Sequence, residues 1–347
     1  MYIRKILITV VLLGLVAAGA FAYFVYNALF TPNTSFNNEE AYVFIPSDAG
    51  FTELRELVTP LIADMDTFDA VAKRKKYDQN VKAGKYAIKK GMNNNEIINA
   101  LRSGNIPIKV SFNNQERLAD LAGRISEQIE ADSLSLLEAM SSADFLRSND
   151  FDANSAISLY IPNSYEFFWN TSAEDFRARM LKEYQRFWND ERQEKAKALG
   201  LDAKKVSALA SIVQKETAKV DERPRVAGLY LNRIKSRMRL QADPTVIFAI
   251  KHHTGNYDTI IKRVLYKDLE LDSPYNTYKH GGIPPGPITM PDISSIDAVL
   301  NAENHNYYYM VANVSNFGYH KFAQTIQQHN RNKSQYIRWI NAQNINR

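Results

Sequence analysis

The sequence predicts an α+β protein fastened to a membrane by one N-terminal helix, with a small α/β module followed by a larger mixed α+β domain. Three observations predict it. The run from Ile6 to Leu29 carries no charged residue. Beyond it, stretches with the two-residue period of strands alternate with stretches of helical spacing, so neither an all-α nor an all-β fold fits. The 347 residues, 45% of them apolar, suffice for two or three cores.

The first element is the apolar run itself. It is long enough to cross about 30 Å of hydrocarbon with some tilt. Arg4 and Lys5 precede it, and the next basic residue is Arg55, with Glu39 and Glu40 between. The positive-inside rule then predicts residues 1–5 in the cytoplasm, 6–29 across the membrane and the rest outside. Tyr23 and Tyr26 suit an interfacial belt near the far end. A cleaved signal peptide is the alternative, with Ala20-Phe21-Ala22 as its site. The apolar stretch continues through Phe24 and Val25, which favours an uncleaved anchor. Residues 30–40 are polar and turn-rich, and read as a linker.

Composition excludes several chemistries. There is no cysteine, hence no thiol catalysis, disulfide or thiolate zinc site. This fits a compartment that oxidises stray thiols. The net charge of +5 is spread along the chain. A nucleic-acid binder would concentrate it, so nucleic acid is not an expected partner. An anionic polymer or membrane surface suits the charge.

Residues 41–112 form the small module. Tyr42 to Ile45 is a strand candidate, and Phe51, Leu54, Leu57, Val58 and Leu61 recur at helical spacing. Gly84 opens a strand from Tyr86 to Ile88, and Lys89-Lys90-Gly91 turns the chain. Asn94 or Asn95 caps a helix with Ile97, Ile98 and Leu101 on its apolar face, and Gly104 sits past its end. Ile106 to Phe112 alternates as another strand. This is the shape of a binding module and equally of a spacer.

Residues 113–157 read as a helical connecting region. The segment YIPNSYEFFW (160–169) is a proline-asparagine turn followed by aromatics. Phe167 and Phe168 are expected in a core. Tyr165, Glu166 and Trp169 are candidates for a sugar cleft. Helices are expected over 173–188, over the charged stretch 190–199 and over 203–218.

The last of these holds the most informative position. Leu209, Ile212 and Val213 fall on one face, and the next place on that face is Glu216. A carboxylate stands where an apolar residue is expected. Either the helix ends and Glu216 reaches water or an arginine, or partial burial raises its pKa for acid–base work. Pro224 suits the first turn of a new helix, with Asp221 or Glu222 at its start. Val226, Leu229 and Tyr230 form that helix's apolar side, with Arg233 one turn on.

Further along, Gln241, Asp243 and Thr245 form a polar cluster before an apolar run. SPYNTYKHGGIPPGPI (273–288) is a rigid turn-rich loop, expected to display Tyr275, Asn276, Thr277 and Tyr278. Residues 306–314 read as a strand, Gly318 as a turn, and His320 and Phe322 as the partner strand. His329-Asn330 falls on a terminal helix. HExxH spacing, nucleophile elbows and phosphate loops are absent. A single carboxylate among amides, hydroxyls and tyrosines fits acid–base work on an uncharged polar bond such as a glycosidic one.

These segments carry a resemblance. ASIVQKETA (210–218), NR followed by MRLQADPTV (232–246), SPYNTY (273–278), GGIPPGPI (281–288) and the pattern His320, Phe322, His329, Asn330 resemble the endolytic murein transglycosylase family, MltG or YceG-like. The likeness covers roughly residues 80–347. Ile161 and Asn163-Ser164 depart from a family segment that reads phenylalanine-proline-aspartate-threonine-tyrosine. Gln214 stands where some relatives have a second glutamate.

The resemblance implies an enzyme of the bacterial inner membrane with its catalytic domain periplasmic. It implies a LysM-like module at 41–112 and a YceG-like catalytic domain at 158–347. The implied reaction cuts the bond between N-acetylmuramic acid and N-acetylglucosamine inside peptidoglycan strands. Glu216 corresponds to the catalytic glutamate. Gln241, Asp243, Thr245, Asn276, Tyr278 and His320 are the substrate-binding candidates, and Arg233 is expected to pair with a carboxylate or meet the anionic stem peptide. No metal or cofactor is expected. The alternatives are a hydrolase with Asp243 as base and a non-catalytic anchor or scaffold beside cell-wall synthases.

Overall fold

The apolar run forms one helix, α1 (Tyr2–Phe30), almost bare of packing partners until its last turns. At Ala28 it enters a core. In the computed structural model, which describes residues 2–342, the chain divides into two units. The first takes in the chain as far as Val110, with returns at 128–131 and 165–172. The second holds 111–127, 132–164 and the remainder.

In the first unit, β1 (Glu40–Ile45) pairs antiparallel with β2 (Gly84–Lys89), from Glu40 opposite Lys89 to Ile45 opposite Gly84. Val43 and Ile45 point into the core while Tyr42 and Phe44 face outward, as a two-residue period requires. Helices α2 (Phe51–Val58), α3 (Met65–Arg74) and α4 (Asn94–Ser103) complete the core with Leu54, Phe68, Val71, Ile97, Ile98 and Leu101. The sequence reading left α3 unassigned.

The cap of α4 is Asn93, one residue earlier than expected, in a reciprocal capping box with Glu96. That frees Asn94 to be buried. Its amide donates to Ala28 O at 2.9 Å and Thr67 Oγ1 at 3.1 Å, and its Oδ1 accepts from Asn33 at 2.7 Å. Asn33 also exchanges bonds with the Asp64 backbone. The expected linker at 30–40 is therefore packed at its start, with bridges from Pro32 to Asn93 and from Thr34 to Ile62.

The strand β3 (Pro107–Phe112) pairs with β4 (Asn163–Phe168), and the division between units falls within both. Phe167 is buried as expected, but Phe168 is half exposed, because consecutive strand residues face opposite ways. Trp169 packs edge-on against Phe44 in the first unit.

In the second unit, α5 (Leu118–Ser126), α6 (Ser133–Ser141) and α7 (Ala143–Ser148) bury Leu121, Ile125, Leu136, Met140 and Leu146. Most of the expected connecting region thus belongs to this unit. Then come α8 (Ala173–Phe187) and α9 (Asp190–Ala198). The centre is α10 (Ala203–Glu216), which packs on α11 (Arg223–Lys235), α12 (Asp243–Thr254) and α13 (Ile293–Leu300). Val206, Leu209, Ile212 and Val213 meet Val226, Leu229, Phe248, Ile296 and Val299 there. Gly228 lets α11 approach the following loop, since a Cβ would stand 2.3 Å from Glu303 O. A hairpin of β5 (Tyr309–Ala312) and β6 (His320–Ala323) turns at Gly318, whose φ is +83°. Helix α14 (Ile326–Ala342) packs on it.

Candidate active site

Glu216 is the last residue of α10. Thr217 is extended (φ −137°, ψ 132°) and ends the helix, so the carboxylate leaves the core face half-buried at a rim. The helix face that buries Leu209 and Ile212 carries it there. Tyr230, one helix away on α11, donates its hydroxyl to Glu216 Oε1 at 2.6 Å.

The cleft around this pair has a volume of about 230 Å³. Tyr230 and Arg233 come from α11, Asp243 from the start of α12, Tyr278 from the turn-rich loop, and His320 from β6. Gln241 joins them with an uncommon φ of +50°, its N–H bonded to Thr277 O at 3.2 Å. Met310, Val311 and Ala312 add an apolar edge. A larger cavity of about 640 Å³ lies around Tyr184 and Trp188. There Asp150 pairs with Lys204 at 2.7 Å, so size does not choose the reactive cleft.

Burial pushes the Glu216 carboxyl up to about 6. The Tyr230 hydrogen bond, the His320 charge and Arg233 oppose that rise, while Asp243 adds to it. Tyr230 is pushed well above 10 by its own burial and by the Glu216 charge, so it stays a donor. Tyr278 donates to Asp243 Oδ1 at 2.6 Å, and its pKa too is raised, by burial and by that bond. One carboxyl that titrates near neutrality faces a second, hydrogen-bonded carboxylate.

The expected site residues separate into two sets. Glu216, Gln241, Asp243, Tyr278 and His320 line the cleft together. Thr245 and Asn276 do not; both are fully buried. Thr245 Oγ1 bonds Ala242 O and Thr277 Oγ1, fixing the start of α12 to the loop. Asn276 donates to Leu269 O and Leu271 O and accepts from Tyr278 N. Three of the four loop residues expected on display, Tyr275, Asn276 and Thr277, are therefore internal, because the loop satisfies its own polar groups by turning them inward. Only Tyr278 reaches the cleft.

Of the two roles expected of Arg233, the carboxylate pair is not formed. Its guanidinium bonds the carbonyls of Tyr308, Arg239 and Leu240 rather than a carboxylate. It holds the hairpin and the loop before α12 against α11. Tyr165, Glu166 and Trp169 belong to the first unit and are not among the residues lining this cleft. Gln214 accepts from Asp292 N at 2.6 Å and Ser295 Oγ at 3.2 Å, a tie between α10 and α13.

Sequence spacing does not mark two functional residues. Tyr230 falls on an apolar helix face, and its hydroxyl gives no signal. Glu222 stands at the start of α11 as expected, but its side chain is buried and makes no capping bond. Its Oε1 accepts from His320 N at 2.6 Å, and its Oε2 lies 2.9 Å from His320 Nδ1.

The profile of the YceG-like family matches residues 43–335. The chain belongs to the YceG-like family. A Bacillus subtilis relative named endolytic murein transglycosylase is 30% identical over 342 residues, 93% of this YceG-like chain and 91% of its own length. A Streptococcus pneumoniae protein of the same name is 31% identical over 141 residues, 41% of this chain and 25% of that one. A solved YceG-like protein of Listeria monocytogenes aligns over 85% of this chain and 99% of its own, with a TM-score of 0.55 and 27% identity.

Proposed function

We propose that this YceG-like protein is a lytic transglycosylase that cuts murein glycan strands internally, with Glu216 as general acid and then base. The names and reach of its relatives support the enzyme class and the murein substrate. The observation that carries the mechanism is a half-buried carboxyl that lines a cleft and accepts from a phenol, with burial raising its pKa.

Protonated Glu216 gives its proton to the oxygen between N-acetylmuramic acid and N-acetylglucosamine as the C1–O bond breaks. The N-acetyl group of the muramic residue supports the oxocarbenium-like centre. The Glu216 carboxylate then takes the C6 hydroxyl proton while O6 closes onto C1. The product ends in 1,6-anhydro-muramic acid, and no water is consumed. One carboxyl serves twice, unlike the paired carboxylates of glycoside hydrolases. Gln241, Asp243, Tyr278 and His320 position the sugar. A hydrolase would deliver water in place of the C6 hydroxyl, with Asp243, which accepts from Tyr278, as the candidate base.

The helix α1 is long and apolar enough to span a membrane. We read it as a single-pass anchor of the bacterial inner membrane, N-terminus inside and catalytic residues outside. Residues 41–112 are read as a LysM-like module and 158–347 as the catalytic domain. The deciding experiment digests purified murein with the full chain in detergent, wild type beside Glu216→Gln, and reads fragments by mass spectrometry. The full chain is used because Ala28 is part of a core. Internal fragments with anhydro ends, lost in the variant, are expected. Products heavier by one water would overturn the transglycosylase reading, and intact strands from both proteins would leave an anchor or scaffold.

A further inference from the structure

Behind the cleft-lining His320 lies a carboxylate–imidazole pair, Glu222 and His320, that the single-glutamate mechanism does not use. Glu222 ends a short turn (Val220–Glu222) between α10 and α11 and is 4% exposed. Both its oxygens are committed to His320, one to the backbone N–H and one to the ring. A buried carboxylate is tolerated only when so satisfied. It fixes the His320 ring by Nδ1 and leaves Nε2 as the remaining nitrogen of a side chain that lines the cleft.

We propose that Glu222 is a positioning residue that holds His320 as an imidazolium beside Glu216, so that Glu216 both yields its proton readily and persists as a carboxylate until the C6 hydroxyl arrives. This rests on the reading of Glu216 as acid and base. No proton leaves His320 in the cycle; its charge is what acts.

The groups facing His320 agree with this role. Glu222 and Glu216 come from the α10–α11 junction, Tyr230 and Arg233 from α11, Asp243 from α12 and Tyr278 from the loop. Beside it on the hairpin, Tyr319 donates to Asp221, with Lys219 above its ring. Burial alone would lower the His320 pKa, but the Glu222 bond and charge and the Glu216 charge prevail and raise it. Glu222 is held below its ordinary range, since its bonds to His320 outweigh its own burial. The His320 charge in turn draws the Glu216 pKa down, against burial.

The test is the pH dependence of kcat/KM on murein for the full chain in detergent, with Glu222→Gln, His320→Gln, Glu222→Asp and the double variant. The alkaline limb reports loss of the Glu216 proton. Removing the neighbouring cation raises the Glu216 pKa, so the limb should move up by about one pH unit as the maximal rate falls about tenfold. Both single Gln variants and the double should behave alike, and Glu222→Asp should restore much of the limb position. A purely structural role would lower the rate at every pH and leave the limb in place. That outcome, or a limb moving down, overturns the proposal.

A second readout is independent of turnover. The His320 ring, followed by carbon-13 NMR of labelled histidine, should titrate above the usual 6.5 in the wild type and lower in Glu222→Gln. An unmoved titration overturns the inference even if Glu216 proves catalytic. Failure of the Glu216 reading shows separately, in the wild-type digest. If Glu222→Gln does not fold, His320→Gln decides through its limb.

Discussion

The two units differ in the polar groups they bury. In the first unit the buried polar side chains are neutral amides, Asn33 and Asn94, and each is tied to backbone and side chains by short bonds. They fasten the end of α1 to α3 and α4. The second unit also buries neutral groups such as Thr245 and Asn276, but it draws ionisable ones out of water as well: Glu222, Arg223 and Arg233 are buried outright, and Glu216 is half-buried. A satisfied amide has no protonation state to exchange, so it rigidifies. A desolvated carboxyl keeps two states close in energy, so it can do acid–base work.

The largest test of that contrast is Glu216→Gln. It should lower anhydro-product formation by about 10²–10⁴-fold without unfolding the protein. A carboxyl whose folded pKa of about 6 exceeds the ordinary 4.5 folds best when protonated. Its contribution is fully present below about 4.5 and is lost as pH rises through about 6, a swing of up to about 2 kcal/mol. Melting curves at pH 4.5 and 7.5 should show this pH-dependent component in the wild type and not in the variant. Its persistence in the variant would assign it to another group.

Asn94→Ala probes the other unit. It strands Ala28 O and an Asn33 donor in a core, so chemical denaturation should show a loss of about 2–4 kcal/mol. The folded fraction should keep its specific activity and its pH profile. An equal loss from Asn94→Ala and Glu216→Gln in stability would erase the contrast.

Smaller effects sharpen it. Tyr230→Phe removes the 2.6 Å bond that lowers the Glu216 pKa. The alkaline limb should move up while the rate falls several-fold, with a stability change of about 1 kcal/mol. Smallest of all, Arg147→Gln breaks an exposed pair with Asp144 at 2.6 Å. Melting should register less than about 0.5 kcal/mol, as for other exposed ion pairs.

How much of this was legible differs by element. The apolar N-terminal helix, the strands at 42–45 and 86–88, and the helices around Ile97 and Leu209 were legible because composition, periodicity and end signals are local. Glu216 was legible as an interruption of an apolar face. The inward turn of Asn276 and Thr277 was not, because their partners at Leu269, Leu271 and Thr245 are fixed only when the loop closes on α12. Glu222 and His320 lie far apart in the chain, and neither interrupts a pattern.

By itself, the sequence determined the long apolar N-terminal helix, the α+β class and the position of one misplaced carboxylate, since each is written in spacing along a single segment. The tertiary structure alone decided which polar residues reach that carboxylate and in which protonation state they stand. Desolvation and charge act through space, and only the packed chain brings Tyr230, Asp243 and His320 around Glu216.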